Sequence, residues 1–293
     1  MVKKESIQTY VQQNGVVLQI LGSGGPFAGD KRASSGYLVW FNGRPQVMID
    51  AGGGTYLRMQ QAGARIDDIK LIAISHFHPD HSSELPALLW SDYYSDRKVP
   101  LVVTGPSGSG ATGLTGFLDA LANMVMLTDA FTRVNRIEVS IQNNKSIDVY
   151  KDADVRVAAF SVDHGPWPTL AYRIEINDVS IGYGADQTGS NLAFTEFVQG
   201  VDILIMHMAV SEEAQGPATR IHAKPSVVGK IAQKAGVRTL VLSHFMKLDS
   251  TKPNAGEFSL SNLESNLAHL KKYYFGSVVL AEDLQCTEVV KNK

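Results

Sequence analysis

Three histidines and one aspartate occupy a six-residue stretch, His76-x-His78-x-Asp80-His81. The apolar segment before it, residues 70–75, predicts a buried strand that ends at this stretch. In an extended segment, His76 and His78 point to the same side. Two imidazoles and a carboxylate that converge so closely suit a borderline-soft divalent ion such as zinc. The stretch therefore predicts a metal site at the end of a strand, and a solvated polar loop is the weaker interpretation.

Three later strand-length apolar segments are each followed, within three residues, by a further candidate ligand: His164, Asp186 and His244. Loops at strand ends are where a rigid scaffold presents chemical groups. Taken singly, each residue has an ordinary alternative. His164 and His244 could be hydrogen-bonded core histidines, and Asp186 could be a helix N-cap or a turn residue. Their order after the first stretch favours one shared site.

The elements that must position these residues follow an α/β pattern, because apolar runs of strand length alternate with segments of helical periodicity. Asn42-Gly43 predicts a hairpin between the strands 37–41 and 45–49. The sequence has no Pro- or Ser-rich linker and no repeat of fixed period, so we expect one domain over residues 1–293. The other predicted strands cover residues 16–21, 70–75, 99–104, 137–141, 146–150, 155–162, 170–176, 179–183, 203–206 and 238–243, and the predicted helices cover 56–62, 84–90, 114–124, 226–234 and 261–271.

The stretch His76-x-His78-x-Asp80-His81 after an apolar strand resembles the signature of the metallo-β-lactamase fold superfamily. The resemblance implies a four-layer αββα sandwich of two mixed β-sheets flanked by helices, with a two-metal site at one edge of the facing sheets. It implies two Zn²⁺ ions, and a His/Asp site also accepts Mn²⁺ or Fe²⁺. The implied ligands are His76, His78 and His164 for one ion and Asp80, His81 and His244 for the other, with Asp186 bridging both.

The segment 21–26 and the hairpin end at residues 49–52 resemble the start of the ribonuclease Z-like branch. The later pattern of His222, a helix, a strand and the final His244 resembles the C-terminal part of the same branch. That branch includes tRNA 3′-processing endonucleases, phosphodiesterases and arylsulfatase-like hydrolases. Two features depart from it. Residues 206–209 are Met-His-Met-Ala, where ribonuclease Z enzymes have His-Glu-Ala-Thr. Residues 165–185, between the metal histidine and the bridging aspartate, hold two predicted strands and leave no room for a tRNA-binding arm.

Three residues are candidate catalytic groups: Asp80, His207 and His222. Imidazole is the side chain that exchanges protons near neutral pH, so His222 is the candidate proton donor to a leaving group, with a helix cap as its alternative. His207 could orient His222, bind the substrate or simply pack. Asp50, before a run of glycines, is predicted to accept a hydrogen bond from a metal-bound imidazole or from nearby backbone, unless it only forms the turn.

Composition limits the classes of partner and site that the chain could have. Lys and Arg number 27 and Asp and Glu 29, a net charge of −2, whereas proteins that depend on phosphate contacts usually carry a basic excess. Together with the missing arm, this charge argues against tRNA as a substrate. Cys286 is the only cysteine, which excludes an internal disulfide and a cysteine-based zinc site. No apolar run approaches the roughly 18 residues of a membrane helix, so no membrane span is expected.

The first fifteen residues lack the apolar core of a secretory leader, so a cytoplasmic location is expected, or a periplasmic one if a leader has been removed. The leading hypothesis is a dinuclear zinc hydrolase of small anionic esters such as phosphodiesters or aryl sulfates. The alternatives are a lactonase or other carboxyl-ester hydrolase, a ribonuclease Z-type endoribonuclease acting on RNA 3′ ends, and a fold member that binds metal without hydrolysis. The oligomeric state stays open, and a homodimer is one candidate.

Overall fold

Strands form the centre of the structure, a computed structural model that describes residues 4–13, 15–125, 128–141 and 144–291. They are rich in Val, Ile and Leu, which pack well on a pleated surface. In chain order the strands are β1 (Val16–Gly22), β2 (Gly36–Phe41), β3 (Arg44–Ile49), β4 (Leu71–Ala73), β5 (Val102–Pro106), β6 (Asn135–Val139), β7 (Ile147–Lys151), β8 (Val155–Val162), β9 (Thr169–Ile176), β10 (Val179–Tyr183), β11 (Ile203–His207), β12 (Thr239–Ser243), β13 (Ser277–Leu280) and β14 (Cys286–Glu288).

Helices precede the first strand and connect many of the later ones. The α-helices are α1 (Lys4–Gln13), α2 (Thr55–Ala62), α3 (Pro79–Ser82), α4 (Leu85–Tyr93), α5 (Leu114–Val125), α6 (Thr128–Thr132), α7 (Ala193–Phe197), α8 (Pro225–Lys234) and α9 (Leu263–Lys271). Short 3-10 turns cover Ala28–Asp30, Ile66–Asp68, Gly110–Thr112, Pro217–Arg220, Ala255–Glu257 and Ser259–Ser261. Within the residues that the structure describes, no helix is both long and apolar enough to cross a bilayer.

The strands make two seven-stranded sheets, ordered β14-β1-β2-β3-β4-β5-β6 and β13-β12-β11-β10-β9-β8-β7. Both are mixed. In the first sheet β1, β2 and β3 are antiparallel and the strands from β3 to β6 are parallel. In the second sheet β7 to β10 are antiparallel and β10 to β13 are parallel. Two mixed sheets flanked by helices confirm the predicted αββα sandwich.

The layers follow from the way successive side chains of a strand point to two different hydrophobic cores. In β1, Leu18 and Ile20 join the core shared by the two sheets, whereas Val17 and Leu21 join a second core with helices of the outer layer. Successive side chains point to opposite faces of a strand, so both faces of β1 are buried. Burial on both faces explains why the strand is apolar on both faces and does not alternate, apart from Gln19, whose side chain accepts a hydrogen bond from Trp40 Nε1.

Most elements lie within a few residues of their predicted bounds, and β8 and β10 match them. β4 is shorter than the predicted 70–75, because the chain turns toward the site at Ser75, whose N–H donates to Asp50 Oδ1 at 2.7 Å. Helix α1 lies outside the predicted elements. Ile7 and Val11, one helical turn apart, bury one face of α1 in the second core, which also contains Val17 and Leu21.

Candidate metal centre

The candidate ligands lie where strands of both sheets end. β4 leads directly into the loop that holds His76 and His78, and α3 begins at the next residue and holds Asp80 and His81. The remaining candidates follow strands of the second sheet: His164 after β8, Asp186 after β10 and His244 after β12. The structure therefore brings all of the metal ligands implied by the resemblance to one edge of the sandwich.

One group of ligand atoms comes from three histidines. His76 Nε2 lies 2.9 Å from His78 Nδ1, and His164 Nε2 lies 3.4 Å from the same His78 nitrogen. All three nitrogen atoms lie within 4.8 Å of one another. Such a cluster of imidazole nitrogens with no acid inside it matches three ligands of one divalent ion.

A second group pairs histidines with an acid. His244 Nε2 lies 3.1 Å from Asp80 Oδ2, and His81 Nε2 lies 3.6 Å from the same oxygen. These three ligand atoms also lie within 4.8 Å of one another. The two groups use different residues, as the resemblance implies for two separate ions.

Asp186 lies between the two groups. Its Oδ2 is surrounded by imidazole nitrogens, at 3.2 Å from His222 Nε2 and His244 Nε2, 3.4 Å from His81 Nε2 and 4.0 Å from His164 Nε2. Asp186 Oδ1 is buried and has no hydrogen-bond partner in the described part of the chain. An unpaired buried carboxylate oxygen is costly, and a divalent cation would satisfy it. The donor set and this unpaired oxygen fit a pair of divalent ions.

The protonation equilibria differ between the two groups of ligand atoms. Burial lowers the pKa of His164 to about 4 and that of His76 well below its usual value, which keeps both imidazoles neutral. Burial alone would raise the pKa of Asp186, but the nearby charges of His244 and His81 hold it well below its usual value. Burial alone would lower the pKa of His81 and His244, but the carboxylates of Asp186 and Asp80 raise both. Neutral imidazoles and ionised carboxylates are the forms that bind metal, so His81 and His244 would each release a proton on binding.

Asp50 accepts a hydrogen bond from the ring nitrogen of His81 that faces away from the metal centre. His81 Nδ1 donates to Asp50 Oδ2 at 2.8 Å, and Ser75 Oγ and Tyr183 OH donate to the same oxygen at 2.8 and 2.5 Å. The contact predicted for Asp50 is therefore present. It holds the proton on Nδ1 and leaves His81 Nε2 facing the site. Neither Tyr183 nor Ser75 is among the site residues predicted from the sequence, although each is the last residue of a predicted strand that leads to a ligand.

Backbone carbonyls orient two more of the histidines in the same way. His164 Nδ1 donates to Ile221 O at 2.8 Å, and His222 Nδ1 donates to Ala218 O at 3.0 Å. In both residues Nε2 is left to face Asp186. Carbonyl groups of the loop before α8 thus hold the rings of both His164 and His222. The ligand atoms of His164, Asp186 and His222 also lie close enough together to bind a metal ion.

His207 differs from the other candidates because both of its ring nitrogens bond to the backbone. Nδ1 donates to Ala185 O at 3.0 Å, and Nε2 accepts from Ala223 N at 3.0 Å. Burial lowers its pKa to about 3, so the ring is neutral. Neither nitrogen is left to exchange a proton with a substrate, and the side chain ties together the loops that carry Asp186 and His222.

Close packing places Asp80 beside Gly52. A Cβ added at Gly52 would overlap the carbonyl oxygen of Asp80 and lie 2.8 Å from Ser34 Cβ, whereas one added at Gly53 would come no closer than 3.6 Å to any atom. We expect Gly52→Ala to lower the free energy of unfolding of the metal-free protein by about 1–3 kcal/mol, through overpacking against backbone. Denaturant unfolding measures this, with Gly53→Ala as the matched control. Equal stability of the two variants would contradict the packing described.

Comparisons with known proteins agree with this architecture. A family model described as "Beta-lactamase superfamily domain" matches residues 46–245. A ribonuclease Z of Mycobacterium sp. (strain KMS) is 28% identical over 247 residues, which cover 79% of this chain and 84% of that protein. Among solved structures, the metallo-beta-lactamase fold protein YhfI from Bacillus subtilis has a TM-score of 0.69 at 17% identity, covering 94% of this chain and 99% of that one. Human tRNase Z, short form, has a TM-score of 0.68 at 18% identity, with coverages of 94% and 99%.

Proposed function

The chain belongs to the beta-lactamase superfamily, and on that basis we propose that it is a hydrolase that uses two Zn²⁺ ions to cleave a small anionic ester, foremost a phosphodiester. One observation carries the proposal. Asp186 Oδ2 has four imidazole nitrogens within 4.0 Å, and it lies between two further groups of ligand atoms. Burying an ionised carboxylate such as that of Asp186 costs free energy unless cations neutralise it.

The chain offers a complete ligand set for two ions. We assign His76, His78 and His164 to one ion, Asp80, His81 and His244 to the other, and Asp186 to both. Two divalent ions supply a water of lowered pKa and positive charge beside the reacting centre. Mn²⁺ and Fe²⁺ suit the same His/Asp donor set.

His222 is the residue that we propose as the proton donor to the leaving group. Its Nδ1 donates to Ala218 O, which fixes the ring and turns Nε2 toward the centre of the site, 3.2 Å from Asp186 Oδ2. Imidazole is suited to proton transfer near neutral pH. In the ribonuclease Z branch, the glutamate of the His-Glu-Ala-Thr stretch partners the proton-donating histidine. This chain has no glutamate there, and we propose that the Ala218 carbonyl orients His222 instead.

An ester panel tests the proposal. Metal-loaded protein should hydrolyse bis(p-nitrophenyl) phosphate, and a chelator should abolish the activity until Zn²⁺ is restored. p-Nitrophenyl sulfate and an acyl-homoserine lactone test the sulfatase and lactonase alternatives on the same preparation. If the protein binds two metal ions per chain and hydrolyses none of these esters, the hydrolase proposal fails in favour of a binding role.

RNA is the second candidate substrate, because the relative named ribonuclease Z aligns with this chain over 84% of its own length. Two observations weigh against tRNA. The net charge is −2, and the segment between His164 and Asp186 is occupied by β9 and β10. RNA binding that weakens steeply with salt, together with cleavage at the 3′ end, would favour the nuclease.

His207 is proposed as a positioning residue. We expect His207→Leu to lower the free energy of unfolding by about 1–3 kcal/mol for each of the two backbone groups that lose a partner. Its pKa is about 3 when folded against about 6.5 when unfolded, so the unfolded chain binds the extra proton and wild-type stability falls as pH drops from about 6.5 toward 3.

The His207→Leu variant should therefore show a shallower loss of stability with falling pH, by about one proton. Denaturant titrations between pH 4 and pH 7 measure both effects. His269→Leu, on α9 and partly exposed, is the matched control. A variant as stable as wild type, with the same pH dependence, would contradict the role.

A further inference from the structure

A small cavity opens beside the candidate metal centre on the side of His78. Its volume is about 140 Å³. We call it the aromatic cavity, and it is lined by Phe77, His78, Ala111, Thr112, Trp167 and Pro168. Since His78 lies in both the cavity wall and the first group of ligand atoms, a molecule that fills the cavity contacts a residue of the candidate metal centre.

The cavity walls are aromatic and held in place. The Trp167 ring meets the His78 ring edge-on, with centroids 4.6 Å apart, and the indole remains 38% exposed. Phe77 stacks on Phe117 with centroids 4.5 Å apart, which fixes the opposite wall. Aromatic surfaces arranged in this way favour another ring in stacked or edge-on contact.

The wall chemistry points to a neutral occupant. Among the described residues that line the cavity, none is Lys, Arg, Asp or Glu. The hydroxyl of Thr112 donates to Ser109 O at 2.8 Å, so its proton is already used. A charged group would lose its hydration here without gaining a partner.

We propose that the aromatic cavity binds one neutral six-membered aromatic ring of the substrate, in the ester arm that remains on the phosphoryl group after cleavage. This inference rests on the proposed function. The volume of about 140 Å³ suits a single ring, since an apolar cavity of roughly 150 Å³ accommodates benzene. Trp167 and Phe77 are then specificity-determining residues.

The position of His222 indicates which arm of the ester occupies the cavity. His222, the proposed proton donor, faces Asp186 and is not part of the cavity wall. The leaving group must lie next to its proton donor. We therefore place in the aromatic cavity, at His78, the ester arm that remains on the phosphoryl group after cleavage.

Two diesters with one common leaving group test this assignment: p-nitrophenyl phenyl phosphate and p-nitrophenyl methyl phosphate. For the wild type we expect kcat/KM to favour the phenyl ester by about 5-fold or more, mainly through KM, as stacking on an aromatic side chain is worth that much. Trp167→Ala should reduce the preference to below about 2-fold, and Trp167→Phe should restore part of it.

Trp90→Ala is the matched control, because Trp90 is similarly exposed on α4 and lies outside the cavity wall. It should retain the phenyl preference. An unchanged preference in Trp167→Ala, or no preference in the wild type, overturns the assignment.

Binding of non-hydrolysable phosphonates separates this inference from the proposed hydrolase activity. Isothermal titration of the metal-loaded wild type should show phenylphosphonate binding about 5-fold or more tighter than methylphosphonate, with the difference lost in Trp167→Ala. If neither diester is hydrolysed but this difference appears, the proposed function fails and the aromatic cavity stands. Equal binding of the two phosphonates, or no binding of either, overturns the aromatic cavity.

Discussion

Replacing Asp80 with alanine should abolish hydrolysis and remove one of the two metal ions while the fold persists. Asp80 Oδ2 lies 3.1 Å from His244 Nε2, and the charge of His81 and the hydrogen bond with His244 lower the pKa of Asp80 to about 2 despite its burial. The carboxylate is therefore ionised and available to a cation at neutral pH. Without it, His81 and His244 lose the acid that completes their group.

The expected loss of kcat/KM in Asp80→Ala is roughly 10³-fold or more, because a metal ion contributes several kcal/mol to transition-state stabilisation. Metal content should fall from two ions to about one per chain, measured by elemental analysis alongside circular dichroism. Asp119→Ala, an exposed acid on α5, is the control. Retention of both ions with full activity in Asp80→Ala would contradict the ligand assignment.

Replacing His222 with alanine should have an effect that depends on the leaving group. An alkoxide is a poor leaving group and needs a proton, so kcat for an alkyl phosphodiester should fall by about 10²–10⁴-fold, the usual contribution of a general acid. p-Nitrophenolate leaves readily without a proton, and its ester should lose far less.

Steady-state kinetics on the two esters distinguish the roles open to His222, with His269→Ala as the control. His164, Asp186 and His222 share metal-ligand spacing, so His222 could hold a metal ion. Equal losses for the alkyl and aryl esters, accompanied by loss of metal, would show that His222 acts as a ligand and not as a proton donor.

The sequence predicts the ligands well because they follow strands directly. An apolar run defines a strand, a polar residue marks its end, and strands that run in the same direction have their carboxyl ends at the same edge of the sheet. The order of His164, Asp186 and His244 after three such strands, together with the family resemblance, predicts that they are ligands, and the structure brings them beside His76 and His81.

Contacts between the two sheets are harder to predict. Tyr183 reaches Asp50 only because the sheets pack face to face, and no local pattern near either residue encodes that contact. The bonding of His207 to Ala185 and Ala223 likewise depends on how two loops fold over it. A lone histidine in a sequence leaves catalysis, ligation and packing equally open until both of its nitrogens have been located.

A crystal structure of the Zn²⁺-loaded protein, with anomalous data collected at the zinc edge, tests the central claim most directly. We predict two anomalous peaks about 3.5–4 Å apart, one beside His76, His78 and His164 and the other beside Asp80, His81 and His244. The Asp186 carboxylate should lie between them. No peak at this edge of the sandwich, or peaks bound by other residues, would contradict the account.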